Sequence, residues 1–196
     1  MMARTYVMKQ RAEQVEQTRR RITEAAVELH GTVGPARTTI SAVAERAGVE
    51  RLTVYRHFPA DDALFHACTS HWLSQHPFPD PGSWERIADP DERLRSALGD
   101  LYAWYRANEA MMANFQRDAP HVPALAGRLA EWEAYLDLGQ RLLARGLVAC
   151  DGDDVLLHAA VGHALQLETW ASLARHGLDD SAAVELMHRL ISSARC

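Results

Sequence analysis

The sequence predicts an all-α protein, and three observations carry that expectation. Apolar residues recur three and four apart in every long segment from Gln17 onward. No stretch alternates apolar and polar residues over the length of a strand. The interruptions fall at helix start and stop signals rather than at two-residue hairpin turns. About nine helices are expected from these periods, as an N-terminal three-helix unit followed by a larger helical body.

Taken in order, Gln17–His30 places Ile22, Ala25, Ala26 and Leu29 at helical spacing, with Val33 continuing the row. Residues 31–37 contain two glycines and a proline and read as a loop. Thr39 then suits an N-cap, since its hydroxyl can accept a free first-turn N–H. The helix after it carries Ile40, Val43, Ala44 and Ala47 on one face, and Gly48 fits a left-handed stop. A second short helix is expected over 50–58, and a longer one over 61–75 with Leu64, Phe65, Cys68 and Trp72. Pro77-Phe78-Pro79-Asp80-Pro81-Gly82 is the strongest break in the chain. Asp89, Pro90 and Glu92 then form a helix start, with Leu94, Leu98, Leu101, Tyr102 and Tyr105 behind it. A short apolar segment over 109–117 holds Met111, Met112 and Phe115. The next helix, 123–146, carries one stripe of Leu125, Leu129, Trp132, Leu136, Gly139 and Leu143, and a second of Tyr135, Leu138 and Leu142. The spacing predicts a single helix over 153–176, stopped by Gly177, and a last one capped by Asp179 or Asp180.

The helices at 39–47 and 50–58 are each shorter than the ~12–15 residues that stand alone in water. Joined by a glycine turn, they form a helix-turn-helix. They persist by packing Ile40, Val43, Ala44, Val49, Val54 and Phe58 together and onto Ile22, Ala26 and Leu29. The outward face of the second helix is then left for a duplex groove, which is ~12 Å wide and admits one helix. Arg51 suits a bidentate pair with guanine, Leu52 a thymine methyl, and Thr53 a donor or acceptor role. Tyr55 and His57 are placed for phosphates. Charge supports the assignment mildly: the chain carries −5 overall, but residues 1–59 carry +4 and the remainder −9. A basic head on an acidic body points to a polyanion for the head alone. The same geometry also occurs as plain core packing, and residue types and spacing leave both readings open.

The stretch TTISAVAERAGVERLTVYRHFPADDALF resembles the N-terminal region of the TetR family of bacterial transcriptional regulators. Thr39, Val43-Ala44, Ala47-Gly48-Val49, Thr53, Tyr55, Phe58 and Leu64 occupy that pattern's positions, and TRRRITEAAVELH resembles its first helix. The likeness covers about residues 17–75. It implies a DNA-binding domain over 1–59 and a ligand-binding and dimerisation domain over 60–196. It also implies DNA contacts from Thr39, Arg51, Leu52, Thr53, Tyr55, Arg56 and His57 to a palindromic operator in double-stranded DNA. The expected function is a ligand-responsive regulator, a repressor acting as a homodimer in the cytoplasm. A small hydrophobic molecule, uncharged or weakly polar, would release it from DNA. Entry of the ligand would shift the 61–75 helix, with the Pro77–Gly82 loop letting it swing. One position departs from the pattern. The family carries a phosphate-binding lysine at the start of the fourth helix, where this chain has Asp61. An aspartate suits a helix N-terminus but repels phosphate. Arg56, His57 or a basic arm of Arg4, Lys9 and Arg11 would then take over, or binding would weaken. With Ala60 where a capping serine is common, Asp61 is the expected cap.

In the body, Trp104, Tyr105, Met112, Phe115, Trp132, Tyr135 and His158 are the candidate pocket residues, with Tyr105 and His158 expected to hydrogen-bond the ligand. Aromatic and methionine stripes also serve as plain core. Leu157, Val161, Ala164 and Ala171 in one terminal helix, and Val184, Met187, Leu190 and Ile191 in the other, are the candidate dimer stripes. Two such helices from each of two chains would form a four-helix bundle. The alternative is that these stripes face their own core.

Other classes have less behind them. The chain lacks a phosphate loop, H-E-x-x-H and G-x-S-x-G, so no catalytic residues are expected. His66, His71 and His76 recur every five residues and cannot share a helix face, and His158 and His163 fail the same way, so no metal site is expected. Asp151, Asp153 and Asp154 begin a calcium-loop pattern that does not continue. Cys68, Cys150 and Cys196 read as reduced thiols. No apolar run reaches the ~18 residues of a membrane span, and no cofactor is implied. A helical interaction module that has lost DNA binding remains as the alternative function.

Overall fold

The computed structural model describes residues 2–149 and 154–195, with side chains from residue 8 onward except at 61. Cys150, Asp151, Asp153 and Cys196, and the side chains of Arg4 and Asp61, therefore lie outside the described residues. Among the described residues there are ten α-helices and three short 3-10 turns, and the only bridge of β type joins Ala149 to Arg195.

The chain divides into two packing units, one of Met1–Pro77 with Ala110–Ala126 and the other of Phe78–Glu109 with Gly127–Cys196. The first holds α1 (Met2–Thr32), α2 (Ile40–Ala47), α3 (Arg51–His57) and α4 (Asp61–Gln75). Its core is Ile22, Ala25, Ala26, Val43, Ala44, Ala47, Val54, Phe58, Leu64 and Cys68, edged by Leu29, Ile40 and Val49. It includes every residue expected to hold the short helices together and adds Ala25, Ala47, Leu64 and Cys68. Val33 is exposed instead, because α1 ends at Thr32. α1 also starts well before Gln17, so the basic arm containing Lys9 and Arg11 is helical. Leu64 and Cys68 bring α4 into this core, so the packing unit extends past residue 59. At the start of α4 the cap position is Ala60, without a side-chain bond, and Asp61 is the first helical residue rather than the cap.

The second unit starts with α5 (Pro81–Glu85), in a stretch expected to be only a break. The Asp80 side chain accepts from Gly82 N at 2.9 Å and Pro81 opens the helix. This is the same Asp-Pro signal that starts α6 (Pro90–Asp118), where Asp89 Oδ1 accepts from Glu92 N at 2.7 Å. The segments expected at 89–105 and 109–117 are one helix with a kink at Asn108 (φ −122°, ψ 15°). There the Asn108 amide donates to the Trp104 carbonyl at 2.8 Å, a side chain inserted into the helical ladder. Residues of α6 up to Glu109 belong to the second unit and those from Ala110 to the first.

α7 (Ala126–Ala144) buries Trp132, Leu136, Gly139 and Leu143 as its period predicts. The single helix expected over 153–176 is two, α8 (Asp154–Ala164) and α9 (Leu167–Arg175). The break at Leu165-Gln166 releases carbonyls that buried tyrosines of α6 take up. Tyr102 Oη donates to Ala164 O at 2.8 Å and Tyr105 Oη to Leu165 O at 2.6 Å. α10 (Asp180–Ser192) is capped by Asp179, whose Oδ1 accepts from Ala182 N at 2.8 Å.

Candidate nucleic-acid interface

The interface is built from α2, the turn after it, and α3. Thr39 caps α2 by accepting from Ala42 N at 3.1 Å, and its exposed hydroxyl keeps a hydrogen to donate. Gly48 closes α2 in the left-handed region (φ 63°, ψ 43°), and Val49 N reaches back to Ala44 O at 2.9 Å. This turn sets α3 off at its own angle. Val54 and Phe58 of the second segment are buried, whereas Arg51 is exposed, Leu52 is 75% exposed and Tyr55 42% exposed. Arg51, Leu52 and Tyr55 thus present a cation, an apolar side chain and a phenol on the solvent side.

The remaining candidates are partly engaged. Arg56 Nη2 donates to Thr53 Oγ1 at 3.1 Å, which lays the guanidinium along the outward surface of α3. His57 is half-buried, and burial, then the charges of Arg56 and Arg19, lower its imidazole pKa.

Three basic residues counted in the head do another job. Arg19 Nη1 donates to His57 O at 2.9 Å, and its guanidinium lies over the Phe58 ring at 4.2 Å. Arg21 donates to the carbonyls of Ala47 and Gly48. Arg46 pairs with Glu28, its Nε donating to Oε2 at 2.7 Å. Two arginines of α1 therefore cap the C-terminal ends of α2 and α3, where cations suit the helix dipole. The charge count treats them as polyanion contacts; the triplet Arg19-Arg20-Arg21 gives no sign of which faces inward.

The candidate pocket residues fall in different places. Trp104, Tyr105, Trp132 and Tyr135 share the second unit, with Trp104–Trp132 ring centroids 5.8 Å apart and Trp132–Tyr135 5.5 Å apart. Met112 and Phe115 belong to the first unit. Neither expected ligand hydrogen bond is available as envisaged: Tyr105 is fully buried with its hydroxyl donated to Leu165, and His158 lies exposed on α8. The dimer stripes need a similar correction. Leu157, Val161, Ala164, Val184, Met187 and Ile191 are buried within their own chain, while Ala171 is half-exposed and Leu190 is 53% exposed. Six of the eight stripe residues thus face their own chain's core, while Leu190 of the expected stripe stays exposed. Further exposed apolar residues on these helices are Val155 and Leu156 on α8 and Leu186 on α10. Among the described residues, no group of three or more His, Cys, Asp or Glu is placed to hold a metal ion.

The family model described as bacterial regulatory proteins, tetR family, matches residues 22–68, which span the last third of α1 through about half of α4. No curated protein sequence matches the chain. Solved structures share the fold across nearly its whole length. A TetR-like transcriptional regulator from Rhodococcus sp. RHA1 superposes with a TM-score of 0.62 at 21% identity, over 89% of this chain and 93% of that one. NalD, the secondary repressor of the MexAB-OprM multidrug efflux pump in Pseudomonas aeruginosa, gives 0.62 at 21%, over 93% and 98%. The regulator FadR from Bacillus subtilis, solved with stearoyl-CoA, gives 0.63 at 16%, over 90% and 98%.

Proposed function

We propose that this chain, whose residues 22–68 match the model for the tetR family of bacterial regulatory proteins, is a ligand-responsive repressor that binds a palindromic operator as a homodimer. The observation that carries the reading is the two-sided character of α3. Val54 is buried in the core, while Arg51, Leu52 and Tyr55 face solvent. A seven-residue helix with no stability of its own, held in place so that a cation and a phenol face outward, suits a major groove. Residues 1–59 would read the DNA, and 60–196 would carry the effector response and the dimer contact. Val155 and Leu156 of α8 with Leu186 and Leu190 of α10 are the apolar side chains open to a second copy. Reading successive grooves requires the two α3 helices of such a pair to lie about 34–36 Å apart, one turn of duplex. A ligand coupling of about 1–3 kcal/mol would change operator occupancy by roughly 5- to 150-fold.

The test is a mobility shift with the DNA flanking the protein's own gene. Protection of a palindrome, weakening as salt rises, supports the regulator. A folded dimer that shifts no DNA at low salt favours the interaction module, for which Asp61 in place of lysine is the argument.

A further inference from the structure

Between Glu28 and Glu45 the chain has no acidic residue, and its one arginine or lysine there is Arg37. Arg37 closes the short 3-10 turn Pro35–Arg37 ahead of α2 and is exposed. Its backbone is fixed from several sides. Pro35 is buried, Arg37 N donates to Gly34 O at 3.2 Å, and Ala36 N donates to Asp118 Oδ2 at 3.0 Å. Thr38 ties the far side, its N donating to Pro35 O at 3.1 Å and its Oγ1 to Gly34 O at 2.9 Å. The side chain is held at one nitrogen, Nε donating to Val33 O at 2.9 Å just past the end of α1. Among the described residues, Nη1 and Nη2 of Arg37 have no hydrogen-bond or ion-pair partner. The carboxylate at this turn, Asp118, is bound instead by Arg117, at 2.7 and 3.0 Å. Other arginines around the helix-turn-helix are engaged: Arg19 and Arg21 at helix ends, Arg20 with Glu24, Arg46 with Glu28 and Arg56 with Thr53.

We propose that Arg37 grips a phosphate of the DNA backbone, as a contact separate from α3. The proposal rests on the regulator reading. In a helix-turn-helix the second helix enters the major groove while the first crosses the sugar-phosphate backbone. α2 is that first helix, and Arg37 stands two residues before its cap Thr39, so it is carried to the strand that α2 crosses. With Nε turned to Val33 O, the open edge of the guanidinium is the Nη1 and Nη2 pair. A phosphate accepts two parallel N–H bonds from such a fork. Because the turn is already anchored, little backbone freedom is lost when the contact forms. A backbone contact carries no base information but fixes register, and so sets where Arg51 meets the bases. The start of α4 opposes a phosphate, since Asp61 and Asp62 stand there. The rival role, a cation serving the end of α1 as Arg19 and Arg21 serve α3 and α2, needs Nε alone and leaves the open fork unexplained.

The test measures affinity for the DNA flanking the protein's own gene over a range of salt, with the full chain as wild type, Arg37→Ala and Arg37→Lys, and follows the thermal unfolding of each. Arg37→Ala is expected to weaken binding about tenfold at low salt, equally for an intact and a mutated palindrome, and to reduce the slope of log K against log salt by about 1. Arg37→Lys keeps the charge without the fork, so it should hold the wild-type slope while recovering only part of the affinity. If Arg37→Ala does not fold, Arg37→Gln should reduce the slope in the same way. A slope unchanged in the uncharged variants overturns the proposal, and a lowered melting temperature beside it assigns Arg37 to the end of α1. Wild-type protein that shifts no DNA at low salt overturns the regulator reading and the proposal with it, a result seen before any variant is compared.

Discussion

At the scale of single residues, His30 carries the clearest pH signature. It is buried against Phe65, ring centroids 5.1 Å apart, and burial lowers its pKa to about 4 despite the opposing charge of Asp118. The folded state therefore prefers the neutral imidazole. As pH falls below the ordinary histidine value of 6.5, the unfolded chain takes the proton first, so stability is full above that value and is lost as pH falls towards 4. The loss should reach roughly 3 kcal/mol. Urea unfolding at pH 7 and pH 4.5 is expected to show it, and His30→Phe, which keeps the stacked ring, should remove most of the difference. A variant with an unchanged pH profile would assign the effect elsewhere. Arginines separate by role at the same scale. Arg51→Ala should leave stability within about 0.5 kcal/mol, as for a surface position, but relax base preference at one position in each half-site by about 1–3 kcal/mol. Arg21→Ala should do the reverse in stability, costing about 1 kcal/mol through the lost cap on α2. Thermal unfolding beside operator binding distinguishes the two. Gly34 shows why one glycine is required: its φ of 93° is one that side chains rarely adopt, and a Cβ there would run into the Arg117 guanidinium and the Asp118 carboxylate. That space is filled because Asp118 accepts from Ala36 N at 3.0 Å and so holds the loop leading to α2.

At the scale of elements, the same device recurs: a side chain from one helix satisfies the open end of another. Arg19 and Arg21 do so for α3 and α2. The Asn114 amide donates to His30 O at 3.0 Å and Gly31 O at 2.9 Å near the end of α1. Arg93, buried, donates to Ile87 O at 2.9 Å and to Arg145 O, just past α5 and α7. Tyr102 and Tyr105 serve the break between α8 and α9. Removing either hydroxyl leaves a buried carbonyl without that donor, so Tyr102→Phe and Tyr105→Phe should each cost about 1–3 kcal/mol. Calorimetry that finds both variants as stable as wild type would mean that water reaches those carbonyls. These ends explain which boundaries were legible. Caps made by a neighbouring residue (Thr39, Asp89, Asp179, Gly48) are local and readable. The split at Leu165-Gln166 has no Gly or Pro to mark it and depends on tyrosines about 60 residues away.

At the scale of the whole molecule, the homodimer and the operator stand or fall together, because a single helix-turn-helix reads only half a site. Leu190 is 53% exposed and Ile191 fully buried, so adjacent positions on α10 divide the question. Leu190→Glu is expected to yield folded monomers in sedimentation, with weakened operator binding. Ile191→Glu should unfold the second unit, since an unpaired carboxylate cannot be buried there. If Leu190→Glu stays dimeric at micromolar concentration, the pairing surface lies elsewhere.

The sequence by itself determined the helical class, the helix-turn-helix with its glycine stop, and the side of α3 that faces solvent. Each of these rests on residues within about one or two helical turns of one another, where periodicity and capping act directly. Tertiary structure alone decided which arginines are caps and which are free, and which stripe of α8 and α10 is core. Those outcomes depend on partners tens of residues apart. An amphipathic period says that a face is buried but not against what, and an arginine's composition does not say whether a carbonyl waits within its reach.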